Sequence, residues 1–418
     1  MPSEIEYGFD SRRQSGEFID WSTFLISILL VTIGLISIYS ATYDAGMSSR
    51  FSQQLIYACL GYGMVIVILF IPETWIFTMA YPVYGIMALM LISVKLFGHE
   101  VNGTTGWLNL GFVTIQPAEL AKVTTLLAAA RYLSSKGIDI KNLRDFLSVS
   151  GIVLFPAALI FIQPDHGTST VIVALLFGIL FWAGFDLFTL FTVFSIPAVG
   201  IMSLFGIGSF VTSVSIFSIA AGFFRKKLYV TIIAIVVVTG VGYSSKVMVD
   251  KLEPYQKKRI EIFLNPGSDL RGSGYNVNQS ILAVGGGRLT GKGFLGGTQT
   301  QLRYIPAQWT DFIFSVPAEE FGFVGAVSVI LLIAGFIIRA VSIAGESDSN
   351  FLSLICFGAG TIIFYHTVIN IGMAIGLMPV MGIPLPFLSS GGSFLISDLA
   401  IVGLLLNAYR AHRRKKIA

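Results

Sequence analysis

The chain has 418 residues, 54% of them hydrophobic and 12% charged, with a net charge of +4. A soluble domain carries about a quarter charged residues, so this composition and a mean hydropathy of +0.79 exclude one. The positive charge is too diffuse for a nucleic-acid surface, and uncharged runs of about 18 or more apolar residues recur where a transmembrane β-barrel would alternate in segments of about ten.

The expected fold is therefore all-α, a polytopic integral membrane bundle forming one domain over residues 1–418. The opening MPSEIEYGFDSRRQSGEFID is polar, so no cleavable signal peptide is expected. Spans are predicted near 21–43, 54–72, 75–97, 117–134, 146–162, 168–184, 187–206, 208–223, 228–248, 312–338, 351–375 and 392–409, about twelve. Arg12 and Arg13, the four cations from Arg131 to Arg144, RKK at 225–227 and RRKK at 413–416 then share one face with both termini. Short Lys/Arg-rich connections mark the cytoplasmic side. Two longer polar segments, 98–116 and 249–311, fall on the opposite, exterior face, and a large loop in a compact bundle is usually functional. Cys59 and Cys356 lie in apolar runs and read as buried thiols, and the four histidines show no ligand spacing.

Charged residues near the spans carry the chemistry. Glu119 and Lys122, in QPAELAKV, are three residues apart and so share a helix face, as a structural ion pair or in a catalytic role. Asp165, in IQPDHGTS, stands between two spans, where it caps the second helix or faces a polar cavity. The exterior loop sets eight cations, among them Lys258, Arg259, Lys292 and Arg303, against five acids. That excess suits either a solvated surface or a clamp on an anionic lipid headgroup. GGRLTGKG (286–293) nearly matches a phosphate-binding loop, but Gly293 replaces the Ser or Thr that would hold magnesium, and no strand precedes it. Asp311 opens the tenth predicted span with Glu319 and Glu320 eight and nine residues deeper. A helix-start role explains Asp311 alone; one polar cleft lined by all three acids explains the set.

Six segments in order resemble the SEDS family (shape, elongation, division and sporulation proteins) in its RodA branch. They are GWLNLGFVTIQPAELAK (106–122), IQPDHGT (162–168), YQKKRIEIFLNP (255–266), GYNVNQSILAVGGGRLTGKGFLGGTQTQLRYIP (274–306), TDFIFSVPAEEFGFVG (310–325) and NIGMAIGLMPVMGIPLPFLSSGGS (370–393). GIPLPF favours the elongation branch over the division branch. The resemblance implies a ten-span core, so the four runs within 168–248 would add a hairpin and give twelve. It implies peptidoglycan glycosyltransfer: lipid II, a disaccharide-pentapeptide on undecaprenyl diphosphate, is polymerised at the outer face of the cytoplasmic membrane during cell elongation. Asp311 would be the essential carboxylate and general base. Trp107 would belong to the substrate site, together with Gln299, and Lys258, Arg259, Lys292 and Arg303 would hold the diphosphate. A divalent cation, Mg or Mn, is the one implied cofactor, yet Ala307 and Arg303 stand where relatives often carry acids, which leaves metal dependence open. The implied partners are a class B penicillin-binding protein transpeptidase and other elongation-complex membrane proteins. A lipid II flippase and a non-catalytic scaffold are the rival functions.

Overall fold

A computed structural model of the chain describes residues 18–43, 48–101, 104–109, 114–249, 273–306 and 308–417. Three helices come first: α1 (Trp21–Thr42), α2 (Ser48–Phe70) and α3 (Glu73–Phe97). A small antiparallel sheet follows, β1 (His99–Val101), β2 (Thr104–Asn109) and β3 (Thr114–Ile115), in the order β1-β2-β3. Six helices run on from it: α4 (Pro117–Leu133), α5 (Leu143–Ile162), α6 (His166–Trp182), α7 (Leu187–Leu204), α8 (Ile207–Phe223) and α9 (Leu228–Val249). The last group is α10 (Ser273–Gly286), α11 (Thr298–Gln301), α12 (Ser315–Glu320), α13 (Gly322–Glu346), α14 (Asn350–Ala374) and α15 (Gly392–Ile417). Nine helices among the described residues are long and apolar enough to cross a bilayer. With α4, α6 and α8, each of 17 residues, they match the twelve predicted spans in order. The protein is a multi-pass membrane bundle.

Two expectations need correction at this level. The tenth span begins at Gly322 rather than 312, because α12 is only six residues long and contains Pro317, and Gly322 takes a positive φ of 65° that a continuing helix does not allow. Cys59 is exposed on the outside of the bundle, while Cys356 is buried as expected.

The main core is built around α4, α14 and α15. Ala121, Ala128, Ala129 and Ala130 of α4 are fully buried, and small side chains let helix backbones approach closely where lipid removes the hydrophobic drive between helices. Gly178 of α6 illustrates the fit: a Cβ there would lie 2.4 Å from the Thr361 hydroxyl of α14. The helices α7–α9, which hold most of the segment expected to contain the extra hairpin, pack around a second core of their own: Phe188, Val199, Phe217, Ala221, Ala234 and Val238. Stacking of Phe191 on Phe217 (5.3 Å) and on Phe224 (5.2 Å) extends it.

The glycine-rich 286–293 segment docks the chain after α10 onto the bundle. Lys292 N donates to Glu319 O (3.1 Å), Gly293 N to Glu320 O (2.9 Å), and Phe323 N to Arg288 O (2.8 Å). Gly291 sits at φ +84°, where a Cβ would lie 2.0 Å from Glu320 O, so only glycine fits. The glycines therefore serve backbone docking, which accounts for a phosphate-loop look without a phosphate-loop fold. Gly291→Ala should cost about 2 kcal/mol or more, since positive-φ strain adds to the clash. Thermal unfolding in detergent checks it against Gly285→Ala, whose Cβ would meet nothing within 4 Å; equal melting of the two variants would refute the docking role.

Candidate functional site

A cavity of about 420 Å³ opens among the sheet, the N-terminal ends of α4, α6 and α15, the turn before α12 and the segment between α14 and α15. Local sequence explains each wall. Pro117 starts α4 and puts Glu119 in its first turn. Asp165 caps α6: one carboxylate oxygen accepts from Thr168 N (3.0 Å) and the other from Gln116 Nε2 (3.0 Å). Gln116 N donates in turn to Ser393 Oγ in the first turn of α15 (3.0 Å), so three helix starts are tied together. The sheet, through its Leu108–Ile115 and Asn109–Thr114 pairs, presents Trp107 at the same cavity. Gly167 lets α6 approach the segment beyond α14, since a Cβ there would lie 2.6 Å from Met381 O.

Asp311 faces this cavity from the turn before α12, outside the membrane-spanning helices. Its backbone is held at three successive carbonyls. Ser390 N donates to Trp309 O (2.8 Å), Ser389 Oγ to Thr310 O (2.7 Å) and Asn370 Nδ2 to Asp311 O (2.8 Å). Asn370 Nδ2 also donates to Ile383 O (2.8 Å), so one amide fixes both sides of the cavity floor. Gln54 of α2 steadies Ser389 and Gly391 from behind. Burial raises the Asp311 carboxyl from the ordinary aspartate range to about 6, against a hydrogen bond from Thr310 that favours the ionised form.

Behind the cavity Lys122, fully buried, forms an ion pair with Glu119 Oε2 at 2.6 Å. Its Nζ also lies 2.9 Å from His366 Nε2, while His366 Nδ1 lies 3.1 Å from Pro384 O. An ammonium only donates, so Nε2 accepts and Nδ1 carries the proton to the Pro384 carbonyl.

Of the residues singled out in the sequence, Trp107, Glu119, Asp165 and Asp311 meet in the cavity, with Lys122 one layer behind. Glu319 and Glu320 do not join them, contrary to expectation. That cleft required one continuous helix from 312; with α12 ending at Glu320, both carboxylates turn into the protein. Glu319, fully buried, accepts from Lys292 Nζ (2.6 Å), Gln299 N (2.9 Å) and Thr300 N (3.0 Å). Glu320 accepts from the Ser40 hydroxyl and from Gln301 Nε2 (3.2 Å). Lys292 is thus neutralised by Glu319 rather than held ready for a diphosphate, and Gln299 serves the same knot through its backbone. Arg303 is exposed after α11 at φ +57°; neither it nor Gln299 lines the cavity. Lys258, Arg259 and Ala307 lie outside the described residues.

No group of three His, Cys, Asp or Glu side chains among the described residues is placed to hold a metal ion. Asp165 is occupied by Gln116 and Thr168, and Glu119 by Lys122, so the donor set does not fit a resident divalent cation. Sequence reasoning missed Asn370, Ser389 and Gln54. Their signal was a polar residue within an apolar run, visible in Asn370 of NIGM and Ser389 of SSGGS, but what each touches is set by the fold.

Comparison with known proteins places this geometry in context. The profile of the cell cycle protein family of FtsW, RodA and SpoVE matches residues 20–215 and 206–414. The chain is 31% identical over 419 residues to the peptidoglycan glycosyltransferase RodA of Treponema pallidum, covering 93% of this chain and 96% of that protein. It is 32% identical over 397 residues to the peptidoglycan glycosyltransferase MrdB of Escherichia coli K12, covering 95% and 94%. Among solved structures, a chain of a peptidoglycan synthase complex that coordinates polymerization and crosslinking superposes with a TM-score of 0.71 at 27% identity, covering 94% of this chain and 98% of that one.

Proposed function

The chain belongs to the FtsW, RodA and SpoVE family, and from that premise we propose that it polymerises lipid II with Asp311 as general base. It is a peptidoglycan glycosyltransferase of the RodA type, working in cell elongation. The observation that carries the residue assignment is the single one of Asp311: a carboxylate facing a polar cavity, with its backbone pinned at three consecutive carbonyls. In the reaction the acceptor sugar's 4-hydroxyl gives its proton to an Asp311 carboxylate oxygen as that hydroxyl oxygen bonds to the donor's anomeric carbon. The bond from this carbon to the diphosphate oxygen breaks, and undecaprenyl diphosphate leaves with the electron pair. A carboxyl raised to about 6 is closer in basicity to its task than an ordinary aspartate and is still mostly ionised at neutral pH.

The diphosphate needs compensation, and Lys292 is spent on Glu319. The N-terminal ends of α4, α6 and α15 all open on the cavity, and helix N-termini favour anions. Trp107 supplies an apolar ring face against which a sugar packs.

The protein works in the cytoplasmic membrane with both termini inside; the Lys/Arg runs on one face support this orientation. The likeness to a chain from a synthase complex supports pairing with a class B penicillin-binding protein transpeptidase and with other elongation-complex membrane proteins.

Purified protein incubated with fluorescent lipid II should yield glycan ladders on a gel. Transport of lipid II between leaflets of proteoliposomes without ladders would replace the polymerase reading with a flippase. If neither occurs, with or without the transpeptidase, the scaffold reading stands. Asn370→Leu, which removes the bridge from Asp311 to Ile383, should lower turnover on the order of 10²-fold through misplacement of the base. Its KM for lipid II should change much less. An unchanged turnover number would show that Asn370 does not position Asp311.

A further inference from the structure

α15 runs from the cavity, where Gly392 and Ser393 line the wall, to the opposite end of the bundle. Arg410 lies 18 residues beyond Gly392, about 27 Å along a helix and close to the thickness of the hydrocarbon core. That puts it at the far membrane–water interface. There a pocket of about 220 Å³ is lined by Phe18, Ile19, Leu69, Phe70, Arg410 and Arg414.

Two guanidinium groups share this pocket with four apolar side chains. Arg410 is not extended into water. Its Nη1 donates to Leu69 O (2.9 Å), and the guanidinium stands 4.4 Å over the Phe70 ring, which fixes one edge and leaves the other donors for a ligand. Arg414, one turn on, is exposed on the same helix face. Two other ionisable groups of this helix end have protein partners: His412 Nδ1 meets Asp348 Oδ2 at 3.0 Å, and Arg413 Nε donates to the Tyr409 hydroxyl (3.1 Å). Among the described residues no ion pair joins Arg410 or Arg414 to a carboxylate, and no acid lines the pocket. Two like charges one turn apart repel unless an anion sits between them. Topology alone would require positive charge at this end, but not a guanidinium folded back onto an aromatic ring above an apolar recess.

We propose that this pocket binds an anionic phospholipid of the leaflet it faces. Arg410 and Arg414 grip the phosphate, and Leu69, Phe70, Phe18 and Ile19 receive the start of the acyl chains. The chemistry is phosphate recognition by paired arginines, and the apolar walls select a lipid over a free ion. Because α15 also forms a wall of the Asp311 cavity, the lipid braces the helix that carries that wall. The site stands independently of the assignment of Asp311.

Native mass spectrometry of the full-length protein tests it, using phosphatidylglycerol and phosphatidylcholine of equal chain length. The wild type should retain phosphatidylglycerol about tenfold over phosphatidylcholine, and Arg414→Gln should cut that retention about fivefold, the worth of one arginine near a charged membrane surface. Arg410→Gln should do the same, and the double variant should lose the preference. Arg414 is exposed, so its variant folds whatever happens to Arg410→Gln, and unfolding temperature in phosphatidylcholine nanodiscs confirms folding for each. Equal retention of the two lipids, or retention unchanged in Arg414→Gln, overturns the proposal. Displacement of the lipid by millimolar inorganic phosphate also overturns it, in favour of a plain anion pocket.

Discussion

Lys122→Met should destabilise the folded protein by about 3–5 kcal/mol, the cost of breaking a buried pair and leaving one charge behind. Lys122 is fully buried and Glu119 is 3% exposed. Without the ammonium, the Glu119 carboxylate loses its partner at 2.6 Å and His366 Nε2 loses its donor. Glu119→Gln paired with Lys122→Met removes both charges and should recover a large part of the loss, because a buried pair contributes little beyond cancelling its own desolvation. Thermal melting of the four proteins in one detergent completes the cycle. Wild-type melting in Lys122→Met would mean that the pair holds nothing together.

Asp311→Asn should lower polymerisation about 10²- to 10⁴-fold, the range a positioned general base supplies. The substitution keeps the side chain's shape, and the anchors at residues 309–311 are backbone carbonyls that it leaves in place. Melting temperature and lipid II binding should therefore stay close to wild type, which separates loss of chemistry from loss of fold. Asp311→Glu keeps a base but moves it by one methylene, so it should fall between the two. Substantial glycan synthesis by Asp311→Asn would remove the residue from the proton transfer.

Much of the fold was legible because membrane helices announce themselves: each of twelve apolar runs became a helix in sequence order. The start of the tenth was missed because Glu319 and Glu320 in FIFSVPAEEFGFVG read as acids of one continuing helix, and the sequence does not show that Gly322 adopts a positive φ. The pairing of Glu119 with Lys122 was readable from three-residue spacing. His366, the other neighbour of Lys122, lies 244 residues away, and no local rule connects them. The same limit applies to the site. Trp107, Asp165 and Asp311 could be picked out from their motifs, whereas Asn370, which holds Asp311 from 59 residues away, could not. Charge counting could not place Lys292, because its partner, Glu319, is 27 residues distant and was expected in a different cleft.

The pH dependence of lipid II polymerisation tests most directly whether Asp311 accepts the proton. A base must be ionised to act, so its raised pKa places the loss of activity on the acid side: the rate should be level above about 6 and fall about tenfold per pH unit below it. The residual rate of Asp311→Asn should show no such inflection. A wild-type profile flat through this range, or the same inflection in Asp311→Asn, would contradict the assignment.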